Sequence, residues 1–185
     1  IVENKMYFCK STIVVMKEKN AVRIQHYHSP CGELMIGSFE EKLCLCDWVA
    51  AKHRDRIDKR LKRLLQADYK EEMSEVLQKA CRQLDEYFNG KRTAFDIPLL
   101  PIGTEFQKRV WLELQKIPYG TTVSYGALAE LLGEPKSVRA VANANGANAI
   151  SIFIPCHRII GSNHSLTGYA GGLEAKRWLL NRETL

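Results

Sequence analysis

Hydrophobic and polar positions follow two different rhythms along this chain. Residues 11–16, 22–27 and 33–48 form short apolar runs rich in Val, Ile, Leu and Cys, and a turn around Glu40 and Lys42 breaks the last of them. Gly32 and Gly37 punctuate the series, as antiparallel strands joined by tight turns require. From about residue 71 to Phe88 the period lengthens. Val76, Leu77, Ala80, Cys81, Leu84, Tyr87 and Phe88 recur at helical spacing, and Asn89-Gly90 stops the helix they define.

Past the proline pair Pro98 and Pro101 the pattern is mainly helical. Thr104-Glu105-Phe106-Gln107 has the capping-box form and opens a helix with Phe106, Val110, Trp111 and Leu114 on one face. Pro118-Tyr119-Gly120 ends it. Ser124 is placed to cap a helix over 125–132 that Gly133 closes, and Pro135 suits the first turn of another over 136–145, ended by Gly146. Two short helices around a tight glycine turn have helix-turn-helix form, which also occurs in ordinary helical cores. The second helix carries Arg139 and otherwise Ala, Val, Asn and Gly. It suits close, shape-based approach to a minor groove better than base reading in a major groove, or else tight packing on a neighbour. The fold expected is α+β: a small antiparallel-sheet α/β domain over 1–98, then a mainly helical domain with a helix-turn-helix over 99–185.

With 45% hydrophobic residues in 185, the chain can bury one large or two small cores. No apolar run approaches the roughly 20 residues that span a bilayer. The first twenty residues lack the long apolar stretch of a signal peptide, so a cytoplasmic location is expected. The cysteines Cys9, Cys31, Cys44, Cys46, Cys81 and Cys156 are irregularly spaced and are expected to be reduced, with Cys44 and Cys46 buried in a strand. The net charge of +6 is compatible with a polyanionic partner. Residues 52–63 alone hold seven Lys or Arg against Asp55 and Asp58, a segment that fits either a solvated helix face or a DNA contact.

The sharpest chemical signal is Ile154-Pro155-Cys156-His157-Arg158, after the β-branched run Ile150-Ser151-Ile152-Phe153. A thiol becomes a nucleophile as its thiolate, and a neighbouring base favours that form. His157 can supply the base, directly or through a water.

Several collinear stretches share this half of the chain: Gly103-Thr104-Glu105-Phe106-Gln107, Val110-Trp111, Ile117-Pro118-Tyr119-Gly120, Ser124-Tyr125, Val138-Arg139-Ala140-Val141, the Cys156 motif, Thr167-Gly168-Tyr169-Ala170-Gly171-Gly172, and Trp178-Leu179-Leu180. Together they resemble the catalytic domain of O6-methylguanine-DNA methyltransferases, particularly the bacterial methylated-DNA–protein-cysteine methyltransferases. Gln83-Leu84-Asp85-Glu86-Tyr87-Phe88-Asn89-Gly90 resembles the end of the family's N-terminal domain, for which a ribonuclease-H-like sheet is implied. The resemblance implies direct reversal of DNA damage without a cofactor, by a monomer acting on O6-alkylguanine in double-stranded DNA from the minor groove. Cys156 would accept the alkyl group, once per molecule. His157 would take its proton through a water, with Glu183 third in the relay and Asn148 bracing the turn. Tyr125 would crowd a phosphate and serve the departing guanine at N3. Arg139 would fill the place of the flipped base, with Gly126, Ala140 and Ser162 at the DNA. The carbonyls of Cys156 and Ile159 would read the exocyclic amine, and Ser151, Tyr169, Ala170 and Gly171 would wall the pocket.

Departures from the family pattern also matter. Ala170 stands where some relatives have a serine, and Ser151 where some have a proline. The zinc ligands that some members carry fall here on positions that include Phe39 and Cys44, so no metal is expected, although His26, His28 and Cys31 stand close in sequence. Competing functions are a cysteine hydrolase, a non-catalytic reader of alkylated DNA, and a transcription factor. The intact Cys156 opposes the reader, and the small-residue helix opposes the transcription factor.

Overall fold

The computed structural model describes residues 20–184, so the strand expected over 11–16 lies outside the described residues. Three strands form an antiparallel meander: β1 Ala21–Ser29, β2 Gly32–Phe39 and β3 Lys42–Trp48. Helix α1, Arg54–Leu65, then carries the chain across to β4, Asp68–Glu71, which lies parallel to β1. The sheet order is β3-β2-β1-β4. The sheet is therefore mixed and not wholly antiparallel as expected. The short sequence Asp-Tyr-Lys-Glu shows no apolar alternation because β4 is an edge strand, where charge deters further pairing.

Helix α2, Glu75–Phe88, begins later than the periodicity suggests. Its start is set by Ser74, whose hydroxyl accepts the Leu77 amide at 3.2 Å. Leu77, Ala80, Leu84 and Tyr87 face the sheet and are fully buried.

The opposite edge of the sheet is not free. Leu43 N–H donates to the Pro98 carbonyl (2.9 Å) and Leu100 N–H to the Leu43 carbonyl (2.8 Å). Further along β3, Cys46 N–H donates to Ala149 O (2.8 Å), and Ser151 N–H to Cys46 O (2.6 Å). This edge pairing explains why Leu43, Cys44, Leu45 and Cys46 are all buried and read as an unbroken apolar run. The thiols of Cys31, Cys44, Cys46, Cys81 and Cys156 are free, as expected.

In the second half, α3 spans Glu105–Gln115 behind a complete Thr104/Gln107 capping box. The Ser124 hydroxyl caps α4, Tyr125–Leu131, and Gly133 turns away with φ 73°. Helix α5, Val138–Gly146, starts two residues after the position expected from Pro135. The Ser137 hydroxyl donates to Glu134 (3.2 Å) instead of accepting from the helix, and a Ser137 N–H···O Glu134 turn delays the first helical residue. Helix α5 packs on α3, where Trp111 Nε1 donates to the Ala144 carbonyl at 2.8 Å. A two-residue parallel pair joins β5, Val123–Ser124, to β6, Ile159–Ile160. Helix α6, Gly172–Thr184, closes the chain. Among the described residues, no helix is long and apolar enough to cross a membrane.

Candidate active site

Cys156 opens a single 3-10 turn, Cys156–Arg158, and is 4% exposed. The chain reaches it through a tight loop in which Ile154 N–H returns to Ile150 O (2.9 Å) and Phe153 N–H to Ser151 O (2.9 Å). Ile152 stands within that loop at φ 73°, a region β-branched residues rarely enter. Such a conformation persists only where its surroundings hold it. Here the Asn148 side chain does so from both ends: its Oδ1 accepts Ile150 N–H (2.9 Å) and its Nδ2 donates to Ile154 O (2.9 Å). Asn148 is buried, so losing either bond would strand a desolvated polar group. On the other side of the thiol, Asn145 Nδ2 donates to Cys156 O at 3.5 Å.

The Sγ lies 4.0 Å from the Ser151 hydroxyl. Burial pushes the thiol above its ordinary pKa and the buried Asp47 adds to this, while hydrogen bonding from Asn148 and Ser151 and the charge of Lys176 pull it back. A thiol so placed is mostly protonated at neutral pH and needs a proton acceptor to react.

His157 is completely buried. Its Nε2 meets Glu183 Oε1 at 2.8 Å, while Nδ1 has no hydrogen-bond partner among the described residues. Burial holds its pKa below the ordinary value against the opposing pull of Glu183, so it is neutral at pH 7 and able to accept a proton. Glu183 is the hub of this corner. It also receives Arg158 Nε (2.8 Å) and Nη2 (2.9 Å), the Tyr87 hydroxyl (2.8 Å) and Gly120 N–H (3.2 Å). Burial alone would raise its pKa, but the bonds from His157 and Arg158 outweigh it and hold the carboxyl well below the usual range.

Tyr125, at the start of α4, is half-buried, and its hydroxyl lies beside the loop at Gly168. Burial raises its pKa, with Thr167 and Asn145 opposing and Cys156 adding to the rise. The rings of Tyr169 and His157 meet in a T-shaped contact, with centroids 6.4 Å apart. Ala170 and Gly171 follow it, half-buried. Thus Cys156, His157, Glu183, Asn148, Ser151, Tyr125 and Tyr169 gather in one region. Arg139 and Ala140, both exposed on α5, and Ser162, exposed in the turn after β6, are not brought to the thiol. Gly126 lies half-buried in the first turn of α4. The Ile159 carbonyl already accepts the ammonium of Lys176, which also donates to Thr167 O at 2.7 Å. One lone pair of that carbonyl is left for a further donor.

Sequence reasoning missed three groups at this site. Lys176 is fully buried, and burial lowers its pKa to about 8. Tyr87 reaches Glu183 from 96 positions earlier. Trp48, from β3, underlies the loop: a Cβ on Gly171 would fall 2.4 Å from the indole, which leaves room only for glycine, and the Tyr169 ring meets Trp48 edge-on at 5.9 Å. Only the lysine on the buried face of α6 could have signalled one of these, and only after the helix was known.

His26 and His28 both turn toward Glu33, at 2.9 and 4.0 Å, and Cys31 lies beside Ser29. Among the described residues no group of three or more His, Cys, Asp or Glu side chains gathers as a metal site. A cleft lined by Phe95, Ile117, Tyr119, Phe153 and Pro155 lies behind the nucleophile loop and not at the thiol.

A sheet domain followed by a helical domain with a helix-turn-helix and a buried, braced thiol defines a narrow class of protein. Residues 22–101 match the family model of the 6-O-methylguanine DNA methyltransferase ribonuclease-like domain, and residues 105–185 that of its DNA binding domain. A methylated-DNA–protein-cysteine methyltransferase of Methanosarcina acetivorans is 43% identical over 157 residues, covering 85% of this chain and 95% of the relative. The constitutive methylated-DNA–protein-cysteine methyltransferase of Bacillus subtilis is 42% identical, covering 85% and 92%. The crystal structure of Mycobacterium tuberculosis OGT in complex with DNA superposes with a TM-score of 0.76 at 38% identity, covering 88% of this chain and 93% of that one. The chain is an enzyme of the same class as these relatives, and it belongs to the 6-O-methylguanine DNA methyltransferase family.

Proposed function

We propose that this protein repairs DNA by moving an alkyl group from O6 of guanine in a duplex to the sulfur of Cys156, once per molecule. The observation that carries the reading is the buried thiol on a strained, Asn148-braced loop, adjoining a neutral histidine whose free nitrogen is sealed inside the protein. His157 takes the thiol proton through a water at Nδ1, and Glu183 stabilises the imidazolium that results. The thiolate attacks the alkyl carbon, the carbon–oxygen bond breaks, and its electron pair leaves with guanine. The Tyr125 hydroxyl hydrogen-bonds N3 and so improves the leaving group. The product is a thioether, which water does not cleave. Nothing at the site regenerates the thiol.

O6 of a stacked guanine cannot be reached in line, so the nucleotide must leave the stack. Arg139 stands exposed at the start of α5, with no carboxylate partner among the described residues, and is a side chain available to occupy the gap. Tyr169, Ala170 and Gly171, seated on Trp48, form the wall that receives the base.

Incubation with an oligonucleotide containing O6-methylguanine in tenfold excess tests the reading. Repaired product should plateau near one per active protein, with a single methyl mapped to the Cys156 peptide. Continued linear turnover would mean hydrolysis, and tight binding without any adduct would mean a reader.

Arg139→Ala separates flipping from simple phosphate contact. Flipping costs a few kcal/mol in duplex, so losing much of that support should slow duplex repair by roughly tenfold or more. Single-stranded substrate, with little stacking to replace, should be affected far less. An unchanged duplex-to-single-strand ratio of rate constants would leave Arg139 as a backbone contact only.

A further inference from the structure

Helix α1 belongs to the sheet half, yet one of its side chains grips the helix-turn-helix. Arg60 Nη2 donates to Ala147 O at 2.8 Å, capping the C-terminal end of α5, and its guanidinium lies 5.5 Å from the Trp111 ring centroid. A cation there also meets the negative end of the α5 dipole. On the surface of α1, Arg56 and Arg63 are the neighbours of Arg60, one turn before and one turn after.

Those neighbours continue a stripe. Arg56, Lys59 and Arg63 are all exposed and recur at positions i, i+3 and i+7, opposite the buried Ile57 and Leu61, and the exposed Lys52 stands in the turn just before the helix. None has a carboxylate partner among the described residues. Elsewhere surface cations are commonly neutralised: Lys79 by Asp96, Lys108 by Glu105, Arg109 by Glu134, Lys116 by Glu113 and Arg177 by Glu174. Within α1 itself, Asp58 is taken up by Arg54 and Tyr69, which leaves Asp55 in the first turn as the one further carboxylate of the helix. On α5 the exposed positions Arg139, Asn143 and Gly146 run along one face toward Ala147, where Arg60 sits.

We propose that the outer face of α1 is a second phosphate-binding surface, which extends the DNA contact past the C-terminal end of α5 onto duplex flanking the damaged base. The inference rests on the reading that the chain binds duplex DNA. The partner fits by chemistry. Unpaired guanidinium and ammonium groups spaced along a helix suit a regular row of phosphates, and they gain by releasing condensed counterions. This contact carries no sequence information; it adds affinity and register.

The test is a triple variant, Arg56→Gln with Lys59→Gln and Arg63→Gln, in the full chain. A control variant removes the same charge from other faces: Lys42→Gln, Arg82→Gln and Lys91→Gln. Affinity for undamaged duplexes of about 12 and about 24 base pairs is measured against salt concentration, where each lost phosphate contact flattens the log–log slope by about 0.9. The α1 variant should flatten the slope by about 2 to 3 on the longer duplex and by less on the shorter one, while the control leaves it near wild type. Equal slopes for wild type and the α1 variant would overturn the proposal, as would an equal effect of the control. So would loss of binding to phosphatidylserine vesicles with DNA binding intact, which would assign the stripe to a membrane. If wild type binds DNA while the slope does not move, the repair reading stands and only this surface falls. If wild type binds no duplex at all, both fall.

Discussion

Cys156→Ser is expected to abolish alkyl transfer while leaving affinity for the damaged duplex within about threefold of wild type, because positioning rests on contacts to phosphate and sugar. A serine hydroxyl ionises far less readily than a thiol, and burial at 4% exposure penalises the anion further. The residue change is small and polar, and Asn145 and Asn148 bond main-chain atoms that serine keeps. The loop should therefore survive. Mass spectrometry and a binding isotherm on the same preparation separate the two properties. Residual transfer at or above a tenth of the wild-type rate would place the nucleophile elsewhere, and joint loss of binding would mean that the thiol shapes the DNA surface.

Glu183→Gln should damage stability and chemistry together. The carboxylate balances Arg158 and supports His157 in a site where all three are buried. Removing one partner of such a pair typically costs about 3 to 5 kcal/mol, since the remaining charge is stranded. Urea unfolding should show a loss of that order at neutral pH. Its pH dependence follows from the depressed carboxyl pKa. The contribution is fully present above the unfolded value near 4.3 and is lost as the pH falls below about 4, so the two proteins should converge in acid. Repair by the folded fraction should still fall by about 100-fold or more, the range of a lost acid–base contribution. Tyr87→Phe, which removes a single neutral donor to the same carboxylate, should cost only about 1 kcal/mol and leave the rate within about twofold. Equal effects of the two variants would reduce Glu183 to a structural anchor.

Local rules made much of this fold legible. The capping box at Thr104, the Ser124 cap and the apolar period of α2 lie within a few residues of what they determine. Among the elements that escaped, two did so for a plain physical reason. The inward face of α6 is Ala175, Lys176, Leu179 and Glu183, and two charges among four buried residues erase an apolar stripe. Strand β4 has no stripe because it has an exposed edge. The same limit applies to the site. Cys156 and His157 announced themselves as neighbours in sequence, whereas Glu183 was reachable only by resemblance. Trp48 and Tyr87 were invisible, because what each does depends on a partner more than ninety positions away.

The pairing of Cys46 with Ala149 and Ser151 has a consequence for how the molecule comes apart. Both main-chain groups of one sheet residue are spent on the loop that presents the nucleophile. An opening fluctuation that releases that loop must also unzip the edge of β3, and melting of the sheet removes the scaffold that keeps Ile152 in its unfavourable conformation. The two halves therefore share one cooperative unit around the thiol. A fragment cut away at the Pro98–Pro101 linker would keep Tyr125, Arg139 and the whole helix-turn-helix and still lose the geometry that makes Cys156 reactive.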